Sequence, residues 1–552
     1  MDDVPVAQPA GPSGQTPSAE PSHSLLHPQH EEEHKPKKSF KFDLASIGTR
    51  FPSVKKPELK LPFRQKLVWT GAILVLFYVL GSINAWGIDA NAVARFDFLE
   101  IIFGSKFGSI ITLGIGPIVT ASIILQLLVG AKILNWDTKT SEGKAKFMGT
   151  QKLLAVAFSL FEAIAYVVAG AVPPAAGGGA PLMMAVILQL AAGGILIIFM
   201  DEVVSKWGIG SGVSLFIAAG VAKTIIVRVF NPLTAAGAWP SIEEPASGLI
   251  PGMIAYIAAG QPTQALISLF PLLATGAVFV IVLFAQAMKI EIPMAITMPY
   301  GRFGSRRWPL RFIYTSNIPV ILVAAVLANV QVVVRTMANQ GMTWLGTYDQ
   351  QGSPLSGLAL FLQAPSSTSL MVTSVIAGLF ALGIGLLVAL RFKKWVLRSI
   401  VVSSIAGLFL GSLLLGTFGL PQITSLDASR VAVHMLIMVV GSVIFGMFWV
   451  QTAGMDVHSV AEQFKSSFLS IPGFRRDPRI IESVLQRYIP AVTVLGSAFV
   501  GFLAGFADLT NAIGSGTGIL LTVMIVYQLY EQIGQQHGSE LPQWLQKWMG
   551  VA

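Results

Sequence analysis

Cysteine is absent from the 552 residues, which excludes disulfides, thiolate nucleophiles and cysteine metal sites while saying little about compartment. Charge is nearly as scarce: Asp, Glu, Lys and Arg make up 12% of the chain against 53% apolar residues, and no soluble catalytic domain stands out. No HExxH, Walker loop, GxSxG or pair of intramembrane aspartates occurs, so proteolysis, nucleotide hydrolysis and zinc chemistry lack their minimum parts. No catalytic residue, metal ligand set or cofactor is therefore expected. The first 60 residues carry no apolar h-region, so no cleavable signal peptide is expected either.

What the chain has is apolar length. Runs of membrane length, about 20 residues each, recur at about 66–86, 110–131, 151–172, 181–200, 211–229, 268–289, 317–335, 370–390, 399–418, 431–450, 488–506 and 513–532. The fold class is an all-α polytopic membrane protein with about 12 transmembrane helices. With the N-terminus in the cytoplasm, the basic loops fall inside: Lys132, Lys139, Lys144 and Lys146, then Arg302, Arg306, Arg307 and Arg311, then Arg391 to Arg398, then Lys465, Arg475, Arg476 and Arg479. Loops 173–180, 230–267, 337–369 and 507–512 hold no Lys or Arg, which fixes that orientation. Residues 1–38, with the run EEEHKPKK, cannot bury enough surface to order alone, and their scattered histidines read as solvated rather than metal-binding. Residues 39–65 mix basic and apolar side chains and suit an anionic membrane surface.

The stretch from Phe96 to Gly130 organises the rest. Phe96, Leu99, Ile102 and Phe103 share one helical stripe, but Lys106 and the glycines at 104 and 108 stop it far short of a span. It reads as a plug-like half-element. Gly114, Gly116 and Pro117 then open a second apolar helix. Two further helix starts nearly repeat each other, IGSGVSLFI from Ile209 and IGSGTGILL from Ile513. By the loop charges they head in opposite directions, as in inverted halves around a shared axis. At these starts the chain presents Ile115, Val119, Val213, Ile217 and Leu521. Branched aliphatic side chains converging at one depth exclude ions by dewetting yet yield to a bulky cargo. Within spans, Glu162 is a rare carboxyl, with Thr120 and Asn329 at a depth that suits hydrogen bonding to it. His434 reads as a satisfied interior histidine.

Five stretches, FGSIITLGIGPIVTASIILQLLVG (107–130), DEVVSKWGIGSGVSLFIAAGV (201–221), IYTSNIPVILVAAVLANVQ (313–331), FWVQTAGMDVHSVAEQ (448–463) and IPGFRRDPRIIESVLQRYIP (471–490), resemble the SecY family, the channel-forming subunits of the protein-conducting translocon, in its archaeal form. NAIGSGTGILLTVMIVYQLYEQI (511–533) completes the set. The resemblance implies two inverted pseudo-symmetric halves around an hourglass pore, divided at about 61–230 and 231–536 between tails at 1–60 and 537–552. It adds Ile321 to the five ring residues already named and places the plug at about 96–105. It makes Thr120, Glu162 and Asn329 the polar cluster of a lateral gate, and Arg302, Arg306, Arg307, Arg475 and Arg476 the ribosome-docking loops. SecE, a small beta subunit, the ribosome with its nascent chain, signal sequences and secretory polypeptides, and the lipid bilayer are the partners it implies. Three features depart from the family: an additional hydrophobic pair at about 370–419, a longer N-terminal tail, and Gln451 where related chains often carry an acidic residue.

The expectation is a passive channel in the cell membrane, both termini cytoplasmic, that passes unfolded polypeptides and releases membrane helices sideways, driven by the ribosome or another partner. The rival is a secondary transporter, which also uses many spans and inverted repeats but needs several charged or polar ligands at its midplane. An intramembrane enzyme would need an acid or base pair that is not found here.

Overall fold

Each of the twelve apolar runs is helical over most of its length in the computed structural model. It describes residues 52–89, 106–537 and 546, apart from short stretches at 131–132, 135, 137–139, 169, 176, 235–237, 241–244, 298–302, 316–317, 340, 350–353, 366, 392–395, 418, 467–468, 471–477 and 515. The first half holds α1 (Phe63–Ser82), α2 (Gly116–Gly130), α3 (Ser141–Val168), α4 (Gly179–Trp207) and α5 (Gly212–Phe230). After a short helix α6 (Leu249–Ala258) come α7 (Pro262–Ala287), strands β1 (Lys289–Thr297) and β2 (Phe303–Arg311), and α8 (Ile318–Asn339). A small hairpin, β3 (Thr347–Tyr348) and β4 (Pro354–Ser356), precedes α9 (Leu358–Leu362), α10 (Thr368–Arg391) and α11 (Val396–Leu415). Then follow α12 (Ser425–Thr452), α13 (Val457–Ser466), β5 (Leu469–Ser470), α14 (Pro478–Leu509) and α15 (Gly516–His537). Eight of the described helices are long and apolar enough to cross a membrane. Side chains such as Val75 and Phe284 stay exposed on them, as expected where lipid is the solvent.

The strands extend the all-α expectation. β1 pairs antiparallel with β2 over nine residues and with β5 on its other edge. KIEIPMAIT alternates aliphatic residues at 290, 292, 294 and 296, the period-2 pattern of a strand. β5 joins the sheet through Ala295 opposite Ser470 and Ile296 opposite Leu469. The end of the bundle that carries the sheet is called the sheet side below.

The expected span at 110–131 is helical only from Gly116. Residues 106–115 form successive tight turns, with N–H groups of Ser109, Thr112, Gly114 and Gly116 each donating to the carbonyl three residues back. Gly108 and Gly114 sit at φ of 84° and 52°, which stops a helix from propagating through them. This irregular backbone is buried, as it must be at membrane depth. The residues expected to form the plug, Phe96, Leu99, Ile102 and Phe103, lie outside the described residues, as do Arg302, Arg475 and Arg476.

The two halves copy each other. α5 and α15 pack antiparallel, with Gly210 at the start of one against Leu529 near the end of the other, and Gly514 against Val221 and Ile225. Both glycines hold positive φ, 78° and 84°, and a side chain at Gly210 would strike Leu529. A second echo joins α4 and α14: Gly193 lies against the Ile110 carbonyl and Gly496 against the Phe312 carbonyl, each too close for a Cβ.

The additional pair is a self-packed hairpin, α10 against α11, crossing closely where Gly407 meets Ala377 and Gly411 meets Thr373. Small residues four apart permit that approach without any apolar drive from water. α10 continues onto α7 and α14, with Gly378 under the Phe506 ring. At the opposite end of the chain, residues 52–55 dock on protein as well as lying where a membrane surface is expected: Lys152 Nζ donates to the Pro52 carbonyl, Lys206 Nζ to that of Val54, and Trp207 Nε1 to that of Lys55 at 2.8 Å. Both lysines also bind Glu202.

Candidate functional site

Between the two repeated helix starts lies one apolar cluster. Ile115, Val119, Ile217 and Leu521 are buried in it, and Val213 and Ile321 pack against it partly exposed. All six expected ring residues therefore share a single cluster, contributed by α2 and the turn before it, α5, α8 and α15. Helix register places two of them level. Ile217 is seven residues past Gly210 and eight before Ile225, while Leu521 is seven past Gly514 and eight before Leu529. Since each glycine touches the other helix toward its far end, Ile217 and Leu521 lie level with the midpoint of the antiparallel crossing. Phe216 stacks on Phe77 of α1 with centroids 4.8 Å apart and backs this position from inside the first half.

The helix starts are held by side chains that sequence reasoning missed. The Ile209 N–H donates to Thr70 Oγ1 of α1 at 3.0 Å, and the Val213 N–H to Asp201 Oδ1 of α4 at 2.9 Å. In the other half the Ile513 N–H donates to Thr275 Oγ1 of α7 at 2.9 Å, and the Thr517 N–H to Asp508 Oδ1 of α14 at 3.2 Å. Both positions match: the first and fifth residues of each IGSG repeat. Free N–H groups at a helix start need acceptors, and here tertiary contacts supply them. The signal available was the presence of Asp201 and Asp508 just upstream of each repeat, though at different distances.

Thr120, Glu162 and Asn329 meet. Thr120 Oγ1 donates to Glu162 Oε1 at 2.8 Å, and Asn329 Nδ2 donates to Thr120 Oγ1 at 3.3 Å. Glu162 is buried, its second carboxylate oxygen without a protein partner. The bonds tie α2 and α3 of the first half to α8 of the second. α2 also meets α12, where Gly130 lies under Phe448.

His434 corrects the expectation of a satisfied histidine. It is interior, with Nε2 3.5 Å from Asp508 Oδ2, but neither ring nitrogen makes a protein hydrogen bond. Asp508 is already committed to the Thr517 N–H and hydroxyl. His434, Asp508, Gln331 and Met438 line a cavity of about 180 Å³.

Of the expected docking arginines, Arg307 is exposed on β2, where Nη1 donates to Glu291 Oε2 at 2.9 Å. That guanidinium, with Lys289 nearby, holds the Glu291 carboxyl below the usual range. Arg306 lies opposite Met294 in the same ladder. Part of the basic charge at this end is thus already paired.

A family model described as SecY matches residues 109–530. The protein translocase subunit SecY of Methanothermobacter thermautotrophicus is 42% identical over 503 residues, spanning 90% of this chain and 96% of that protein. The Haloferax volcanii subunit of the same name is 38% identical over 518 residues, with 90% and 96% covered. Among solved structures, a protein-conducting channel aligns at 37% identity and a TM-score of 0.69 over 90% of this chain and 97% of that one. Sec61 in the canine ribosome-channel complex from the endoplasmic reticulum aligns at 35% identity and a TM-score of 0.67 with the same coverage. With that breadth of match, and a fold of inverted helical halves to go with it, the chain belongs to the SecY family of protein translocase channel subunits.

Proposed function

We propose that this chain conducts unfolded polypeptides through a waist formed by Ile115, Val119, Val213, Ile217, Ile321 and Leu521, and releases apolar helices sideways between α2 and α8. The observation that carries this reading is the level placement of Ile217 and Leu521 at the centre of the α5 and α15 crossing, inside the cluster holding the other four. Aliphatic contact excludes hydrated ions while offering no sequence-specific chemistry, which suits a conduit for many substrates. The conduit is passive and not an enzyme, its drive coming from a translating ribosome or another partner. Halves at 61–230 and 231–536 move against each other, with Thr120, Glu162 and Asn329 latching the lateral seam and residues 96–105 as the plug.

The loop charges favour the sheet side as cytoplasmic, with both termini there. In that orientation the loops with Arg302, Arg306, Arg307, Arg475 and Arg476 face a ribosome, whose RNA phosphates suit guanidinium groups. SecE and a small beta subunit complete the assembly.

Photocrosslinkers at Ile115 and Ile321 test the route. A ribosome-stalled secretory chain should form adducts with both positions, and efficient targeting with no adduct at either would remove the central pathway.

A further inference from the structure

The duplicated helix-start contacts share more than their partners. In each half the threonine hydroxyl hydrogen is already used inside its own helix: Thr70 Oγ1 donates to the Lys66 carbonyl at 2.9 Å and Thr275 Oγ1 to the Pro271 carbonyl at 2.7 Å. What remains on each oxygen is acceptor capacity, directed at the N–H of Ile209 or Ile513. Four residues on, a carboxyl takes the next N–H. Thr70 and Thr275 are buried beneath these contacts, or nearly so. In the first half the helix start sits so close to its carboxyl that a side chain at Gly212 would collide with Asp201.

Two attachment points one turn apart fix both the axial position and the rotation of a helix, where a single point would leave it free to swivel. One further turn, about 6 Å along the axis, brings Ile217 from Val213 and Leu521 from Thr517. Every member of each clamp belongs to the same half as the helix it holds: α1 and α4 hold α5, and α7 and α14 hold α15. Between the halves, α5 and α15 meet mainly through apolar side chains and glycine, with Gln532 beside Gly210.

We propose that Thr70 with Asp201, and Thr275 with Asp508, are positioning residues of the pore, two copies of one clamp that set the depth and rotation of Ile217 and Leu521 separately in each half. The inference rests on the waist proposed above. Its consequence is that the waist widens when the halves part as bodies, each carrying its own clamped residue.

The absence of cysteine makes the test direct. I217C and L521C proteins, in the assembled membrane complex, are labelled with a membrane-impermeant maleimide. D201A or T70V should raise labelling at I217C by about tenfold, the population change expected for one lost hydrogen bond that leaves a buried donor unsatisfied, and leave L521C within about twofold. D508A or T275V should do the reverse. D201N, D508N, T70S and T275S keep the acceptor and should label like I217C and L521C alone, in which both clamps are intact. The same rise at both cysteines from each clamp variant would mean general loosening and overturn the proposal, as would no rise at either. If I217S and L521S raise ion leak while clamp variants leave labelling unchanged, the clamp fails and the waist stands. If I217S and L521S leave leak unchanged, the waist itself fails.

Discussion

Replacing Ile217 with serine should raise the resting ion leak of reconstituted channels by roughly thirtyfold, and the double replacement with Leu521→Ser by more. Ile217 is 1% exposed and Leu521 6%, so each contributes nearly its whole side chain to the dry cluster. Removing a buried isoleucine side chain forgoes about 2 kcal/mol of apolar transfer, and the serine hydroxyl gives water a partner at the narrowest point. Both changes act in the same direction, stabilising a wetted waist against a dry one. Ile217→Val removes a single methylene and should leak little more than the parent. The control is Ile187→Ser, since Ile187 is as buried but sits in a separate cluster of α3, α4 and neighbouring residues. That variant should lose thermal stability without leaking. Equal leak from both serine variants would show that the increase reports loosened packing and not the waist, and no leak from Ile217→Ser would remove Ile217 from it.

Much of this arrangement is legible in the amino-acid order, and what is not has physical reasons. The spans declare themselves because lipid demands about 20 apolar residues wherever a helix crosses. The pairing of α5 with α15 is announced by IGSG, since a tight turn needs glycine at positive φ in both copies. The clamps were hidden because Thr70 and Thr275 reach partners 139 and 238 residues away, and a threonine in an apolar run carries no mark of what it will accept. The carboxyls stand at unequal distances from their repeats, so the turns between helices differ in length while the endpoint is the same. Residues 110–115 mislead in the other direction. They are apolar enough to read as membrane helix, and only Gly114, with Gly108 just ahead of them, turns them into buried loop. The β1 alternation is readable in KIEIPMAIT, but nothing in a strand's own pattern says that β5, more than 170 residues on, will join its edge.

Asn329→Leu should let weaker apolar segments leave sideways, shifting the insertion threshold of a test helix by about 2 kcal/mol, or roughly thirtyfold in the ratio of inserted to translocated product. In this structure Asn329 Nδ2 donates to Thr120 Oγ1 across the seam, an interhelical bond worth about 1 kcal/mol. Opening breaks that bond and turns an amide toward hydrocarbon, so both terms favour closure. Leucine removes both. Thr120 is not orphaned by the change, because its hydroxyl continues to donate to Glu162. Glu162→Gln keeps an acceptor for that hydroxyl and should leave the threshold near its original value, whereas Glu162→Leu strands it. Gln331→Leu is the matched control: two residues along α8, its amide donates to the Leu362 carbonyl within the second half and never crosses the seam. It should not move the threshold. A shift of equal size in Gln331→Leu would trace the effect to helix polarity in general, and a raised threshold in Asn329→Leu would mean that the amide assists opening. If the threshold falls only for Asn329→Leu and Glu162→Leu, the seam between α2 and α8 is the exit, and its latch is the three-residue chain from Asn329 through Thr120 to Glu162.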